Sequence, residues 1–382
     1  MDAVDALPPQ ESPGGRTGQL RSSGLRPGWT TGACAAGAAR AAYQGLLAGE
    51  FPDPVTVLLP GGRRPEFALT DAGFESRSGA RVAMAAITKD AGDDPDVTHG
   101  AVVRVRVRRA PPGSGVRYAA GPGVGTVTLP GLPLAVGEPA INPAPRTMIE
   151  ANLRAVGSDD VIVEIGIDGG RGLAAHTLNP RLGIVGGLSV LGTTGVVVPY
   201  SCSAWIDSIR RGVDVALAAG QRHLAACTGS TSEAVARERL GLPDLALLDM
   251  GDFAGAVLKY LRSPAGAGCE RLTLCGGVAK FSKLAAGHLD LHSGRSSVDP
   301  GHLSELAAAA GADGATAAAI ATTGTALEAI AVARARGVSL GDAVAAAAAA
   351  HARSVLRRPE VRLEVVCIDR GGRVVGEAVA AP

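Results

Sequence analysis

The chain has 382 residues, 46% of them apolar and 19% charged, which is enough for roughly two or three domains with a core of their own. Lys+Arg 37 against Asp+Glu 36 leaves a formal charge of +1, so no broad electrostatic grip on nucleic acid or anionic lipid is built in. Aromatics at 3% argue against stacked single-stranded nucleic acid, while 53 glycines without a collagen period imply tight turns and close backbone approaches.

In chain order, residues 1–24 are rich in Pro, Gly, Ser and charge and read as a disordered tail. Thr30-Thr31-Gly32 then leads into an alanine-rich helix over 33–47, which either threonine can cap. Residues 55–59 and 66–69 around Gly61-Gly62 predict a hairpin, and 82–88 a strand. An acidic loop over 89–100 follows. Residues 102–108 alternate Val and Arg, as a strand with one wet face does. A glycine loop over 121–131, a helix over 145–156 with Pro in its first turn and a strand over 161–167 complete an α+β domain, 25–178.

Beyond Pro180 the rhythm changes. Apolar segments at 183–191, 223–227, 245–248 and 272–275 each end in a turn of Gly, Ser, Thr or Asp. That alternation predicts a Rossmann-like parallel α/β domain over 179–382, with ligands at the strand carboxyl ends. Alanine-rich helices fill 302–356, broken at Gly311 and Gly337, and a hairpin over 361–379 closes the chain. The fold class expected is therefore mixed α/β and α+β. Residues 182–206 carry no charge and are long enough to span a bilayer, but their glycines and Pro199 break any single helix, so a buried core segment is expected and no membrane. The six cysteines form no CxxC and read as small buried hydrophobes of a reducing cytosol.

Several segments can carry chemistry. A turn such as Gly192-Thr193-Thr194-Gly195, if it opens a helix, offers free N–H groups and a dipole to a phosphate or carboxylate. Ser230 and Glu233 stand at capping-box spacing. No turn spells GxGxxG, so a dinucleotide fingerprint is not supported. Asp249 and Asp252 flank a strand end, where an acid can take both ribose hydroxyls; Asp252 can equally be a helix cap. Asp90, Asp93, Asp94 and Asp96 crowd one loop. They can hold a cation, form Asx turns, or include a base whose pKa its neighbours raise. Lys280 and Lys283 share a helix face before His292 and Arg295, either as a solvated face or as an anion site; Arg146 is a further anion candidate. HExxH is missing and no Ser-His-Asp order stands out, which leaves hydrolase readings without support.

Four long segments carry a family likeness. They are Gly28-Trp29-Thr30-Thr31-Gly32-Ala33-Cys34-Ala35, the run from Lys89 to Thr98, the run from Pro130 to Pro143, and Asn179-Pro180-Arg181-Leu182-Gly183-Ile184-Val185-Gly186-Gly187 continuing to Gly195. From about Leu25 to the C-terminus the chain resembles the cobalt-precorrin-5B C1-methyltransferases, the CbiD family of cobalamin biosynthesis. It departs from the family pattern at Trp29, Ala33 and Gly277, where the family usually has Tyr, Thr and His; position 277 therefore offers no acid or base here. The resemblance implies methyl transfer from S-adenosylmethionine to C1 of cobalt-precorrin-5B, giving cobalt-precorrin-6A on the anaerobic, early-cobalt route. It also implies a cytoplasmic enzyme with cobalt only inside the substrate and no metal of its own.

Such a reaction needs its partners held in line in a dry cleft. The expected catalytic set is Asp90, Asp93 and Asp94. The expected cofactor set is Gly186, Gly187, Gly192, Thr193 and Thr194, with Asp249 or Asp252 on the ribose. Thr30, Thr31, Arg146, Lys280, Lys283, His292 and Ser293 are expected on the carboxylate-fringed macrocycle. Two other readings stay open: a nicotinamide-dependent tetrapyrrole reductase and a non-enzymatic corrinoid carrier. A homo-oligomer is allowed.

Overall fold

Thr30 starts the central helix of the N-terminal part. Its Oγ1 accepts a hydrogen bond from Ala33 N at 3.1 Å, and the helix Thr31–Ala48 ends at Gly49, where φ of 84° suits glycine. In this computed structural model residues 24–77, 79–157 and 160–381 are described, so the expected tail lies outside them except for Gly24. Fourteen of the 18 residues of Thr31–Ala48 are buried, because alanine side chains let neighbouring elements approach closely. The helix packs on the sheet strands Ala80–Thr88 and Val102–Arg109 and on the helix Pro143–Arg154.

That sheet has five strands in the order Asp71–Arg77, Ala80–Thr88, Val102–Arg109, Val161–Ile167, Val116–Ala120. All neighbours are antiparallel except the last pair. The Val/Arg alternation works as expected. Val103, Val105 and Val107 face the helix, while Arg104 pairs with Asp71 and Asp168, and Arg106 with Glu75 and Glu164, on the open face. The hairpin at 55–69 is present in shortened form, as Val55–Thr56 against Glu66–Phe67.

The expected strand at 183–191 differs. Gly183 and Gly186 take φ of 67° and 91°, which breaks the run. Two short strands result. Ile184–Val185 pairs with Thr126–Val127, and Gly187–Leu188 with Gly123–Val124. Val196–Val197 then pairs with Gly28–Trp29. This segment therefore adds to the small ladders of the N-terminal part and not to the parallel sheet.

The second sheet runs Leu247–Asp249, His223–Cys227, Arg271–Gly277, Arg362–Ile368, Val374–Val379, with only the last pair antiparallel. Its alternate residues serve two cores. Leu224, Ala226, Leu272, Leu274, Leu363 and Val365 meet the larger helical layer, whereas Ala225, Cys227, Cys275 and Val366 meet the helix Ser230–Leu240. Helices thus cover both faces. The alanine-rich stretch forms Pro300–Ala309, Gly314–Ala321, Ala326–Arg334 and Leu340–Leu356; Gly311 and Gly337 do break it, at φ of 94° and 73°. Cys34, Cys227, Cys269, Cys275 and Cys367 are buried free thiols, each pushed up in pKa by that burial; Cys202 is half-buried. Among the described residues no helix is long and apolar enough to cross a membrane.

Candidate active site at the strand ends

In the parallel sheet the chain steps outward from His223–Cys227 to Leu247–Asp249, then returns to the other side as Arg271–Gly277. An open sheet of this kind has its crevice where the direction reverses, beyond the carboxyl ends of those strands. Thr228, Gly229, Gly276 and Gly277 stand there. A Cβ at Gly276 would lie 2.5 Å from Thr228, so this turn requires glycine, while a Cβ at Gly277 would meet nothing within 4 Å. Three helices begin at this edge: Ser230–Leu240, Ala254–Arg262 and Val278–Ala285. None has a side-chain cap, which leaves first-turn N–H donors available at Ser230 and Val278, whereas Gly255 N already donates to Leu289 O at 2.9 Å. The expected Ser230 cap is replaced by Gly229, and Glu233 instead holds Arg181 in a two-pronged ion pair at 2.7 and 2.6 Å.

Asp249 ends the strand next to the crevice. Burial raises its pKa above the ordinary carboxylate value, partly offset by the Gly251 N–H. This is the position from which an acid takes a ribose diol in such sheets. Asp252 is no helix cap, since Phe253 fills that position; it pairs with Lys280 at 3.1 Å. Lys280 also donates to the Thr228 carbonyl at 3.0 Å. Lys283 differs from expectation. It is buried, and its Nζ donates to the Leu291 carbonyl at 2.9 Å, bracing the loop that bears the exposed His292 and Ser293. Lys283→Met is expected to cost about 2 kcal/mol in denaturant unfolding, because a buried acceptor loses its partner.

A second cluster forms where three of the family segments meet. Trp29 N donates to the Asp90 carbonyl at 2.7 Å, and Gly32 N to Leu191 O at 3.0 Å. Thr30 and Thr31 are buried and occupied. Thr30 caps its helix, and Thr31 Oγ1 exchanges bonds with Leu191 N and O at 3.1 and 3.2 Å. Both threonines thus brace the junction of these segments. The acids of the loop point to different partners. Asp90 pairs with Arg26, Asp93 accepts from Arg26 N at 2.6 Å, Asp94 from Tyr200 N at 2.9 Å, and Asp96 from the buried Lys89 at 2.7 Å. That dispersal removes the cation reading; among the described residues no His, Cys, Asp or Glu group could hold a metal. Asp90 does not have the raised pKa a base would need, because hydrogen bonds from Arg26 and Gly92 hold it at about 2.

The Gly192–Gly195 turn leads into the strand Val196–Val197, so no helix dipole stands behind it. Gly187 lies against Gly123 O, where a Cβ would come within 2.2 Å; Gly186 is open, Gly192 packs on Thr30, and Thr194 Oγ1 bonds Val196 N at 3.2 Å. Thr193 is exposed. Arg146 is spent internally, on Ile141 O at 2.8 Å, Glu138 at 3.2 Å and the Tyr118 ring.

Tyr200 and Trp205 were missed in the sequence. Tyr200 sits at φ of 55°, rare for a non-glycine residue, and is 69% exposed. Trp205 is 45% exposed, and its indole lies beside Gly251. The stretch from Tyr200 to Trp205 therefore bridges the acidic loop, through Asp94, and the strand ends, through Gly251. Two aromatics among so few, next to a glycine turn, were the available signal.

A crevice at the strand ends is where open α/β sheets take small molecules, and here it lies beside an exposed aromatic face. Family models described as CbiD and as CbiD, C-terminal domain match residues 18–199 and 290–379. A cobalt-precorrin-5B C(1)-methyltransferase of Rhodospirillum rubrum is 54% identical, across 92% of this chain and 97% of its own. Its namesake in Halorhodospira halophila is 53% identical, across 95% and 96%. A solved cobalamin biosynthesis protein (cbiD) of Archaeoglobus fulgidus is 28% identical over 71% of this chain and 83% of that one, with a TM-score of 0.38. The chain belongs to the CbiD family.

Proposed function

We propose that this chain is a cytoplasmic enzyme that moves a methyl group from S-adenosylmethionine to C1 of cobalt-precorrin-5B, giving cobalt-precorrin-6A, with cobalt present only as part of the substrate. The observation that carries the site is the bridge formed by Tyr200–Trp205 between the parallel sheet's strand ends and the acidic loop. Asp249 would accept the ribose hydroxyls, and the uncapped starts at Gly229 and Gly277 would face the cofactor's carboxylate. Trp205 and Tyr200 would lie flat on the macrocycle, with Gly192, Thr193 and Thr194 as a thin wall and His292 and Ser293 at the rim.

In the transfer the methyl–sulfur bond breaks with its electron pair left on sulfur, and an electron pair of the ring forms the new bond at C1. The sulfonium charge disappears, and a proton leaves the ring. No strong acid is needed, so alignment supplies most of the acceleration. Of the loop carboxylates, Asp93 is exposed and carries a second oxygen, besides the one that accepts from Arg26 N, that would take that proton, whereas the Arg26 guanidinium keeps Asp90 ionised and fixed. Asp93→Asn is expected to lower kcat about tenfold with unchanged folding, equivalent to about 1.4 kcal/mol of barrier. Trp205→Ala is expected to raise the KM for the macrocycle about tenfold, the value of one lost stacking face.

The test is anaerobic incubation with cobalt-precorrin-5B and methyl-labelled S-adenosylmethionine, read by carbon NMR. Label at C1 is the expected result; a macrocycle without label overturns the reading. No observation favours a reductase.

A further inference from the structure

Beside the strand ends lies a groove of about 650 Å³, within the size range of small-molecule sites. Two helices build it. Cys202, Ile206 and Arg210 project from one face of Cys202–Ala218 at four-residue spacing. Phe253, Ala256 and Tyr260 come from the start and one face of Ala254–Arg262. The loop carrying Leu289, Asp290 and Arg295 closes one end. Trp205 stands on the same helix as Cys202 but beside Gly251, so the groove begins where the proposed site ends. The Leu291 N–H bond to Asp252 O, at 2.8 Å, joins the two floors.

The charge in the groove is distinctive. Arg210, Lys259 and Arg295 face a single lining carboxylate, Asp290, which Arg295 holds at 2.7 Å. Arg210 pairs with Asp207 on its own helix and lies over the Tyr260 ring. Of the chain's four lysines, Lys89, Lys280 and Lys283 are each committed to a carboxylate or carbonyl of the protein. Lys259 is exposed, and among the described residues no hydrogen bond or ion pair engages it. A cation without a partner, on apolar walls from Phe253, Tyr260, Ile206 and Leu289, suits a ligand with both an apolar body and a carboxylate edge.

We propose that this groove receives the carboxylate side arms of the corrinoid substrate, with Lys259 as a specificity-determining residue. The proposal rests on the functional reading above, because it takes the macrocycle to lie across Trp205. The arms would then extend over Phe253 and Tyr260, and Lys259 would meet a carboxylate on partly desolvated ground.

Two measurements test it. In steady-state kinetics Lys259→Ala should raise the KM for cobalt-precorrin-5B about fivefold, with kcat and S-adenosylhomocysteine affinity unchanged, and Lys259→Arg should restore it. An unchanged KM in Lys259→Ala overturns the proposal. The second needs no turnover: tyrosine and tryptophan fluorescence is titrated with cobyrinic acid and with its methyl ester, which lacks the charges. The acid should bind at least fivefold more tightly than the ester, and Lys259→Ala should remove the difference. Equal affinities in the parent chain overturn the groove assignment. Failure of the methyl-transfer reading shows separately, as no labelled C1 in the parent.

Discussion

Asp249→Asn is expected to bind S-adenosylhomocysteine about a hundredfold more weakly than the parent chain and yet to melt at a higher temperature. The first effect would follow from losing the two charge-assisted bonds that Asp249 is proposed to make to the ribose, together worth about 3 kcal/mol. The second follows from burial. The fold raises the carboxyl pKa of Asp249, so the folded state holds its proton more tightly than the unfolded chain does. Asp249 therefore favours folding at low pH, and that contribution is lost as pH rises through the raised pKa. At neutral pH the ionised group opposes folding, and Asn removes the opposition. In the parent chain cofactor affinity should fall as pH drops through the same window, where the carboxylate gains its proton. Calorimetric titration and thermal melts over that range check both. Asn that matches the parent in affinity would remove Asp249 from the cofactor, and Asn that melts lower would mark it as structural.

Gly28→Ala is expected to destabilise the chain by about 3 kcal/mol, the upper end for overpacking, and to abolish turnover. A Cβ there would lie 2.0 Å from the Ala91 carbonyl carbon and 2.4 Å from Gly92 N, both backbone atoms that no rotamer change can move aside. From the other side, a Cβ on Gly92 would come within 2.2 Å of Arg26 O. The two glycines interlock, and pushing them apart would release Asp93 from Arg26 N and Trp29 from Asp90 O. Denaturant unfolding measures the first effect, and activity of the residual folded fraction the second. Gly73→Ala is the control, because a Cβ there would meet nothing within 4 Å.

Much of the fold was legible because periodicity reports burial directly. Val102–Arg109 and the four strands from His223 to Ile368 show the alternation or apolar runs their environments require. Asp71–Arg77 and Val116–Ala120 were not legible. They are edge strands, the first largely exposed and the second half-buried, with little apolar pattern to read. The segment over 183–191 looked like a core strand by composition alone, but its glycine φ angles decided otherwise. The site was legible in part. Asp249 stands at the strand end where the sequence placed it, and Thr30 caps its helix as its position allows, whereas the backbone partners of Lys283, Arg146 and Thr31 are announced by no local pattern. Trp205 and Tyr200 carried only the signal of scarce aromatics beside a glycine turn, because exposure is a property of the assembled surface.

The middle strand of the parallel sheet, Arg271–Gly277, pairs on one side with Arg362–Ile368, about ninety residues later in the chain, a separation that slows closure. During synthesis that flank of the sheet stays bare until the last helices have emerged. Leu272 and Leu274 then wait beside unpaired backbone groups, a template for pairing with other chains. The alanine-rich helices in between fold locally and quickly, which keeps the delay short. The final hairpin is therefore the clasp that ends the chain's exposure to aggregation: a ribosome that stalls before Arg362 releases a protein with an open sheet, however complete its N-terminal part.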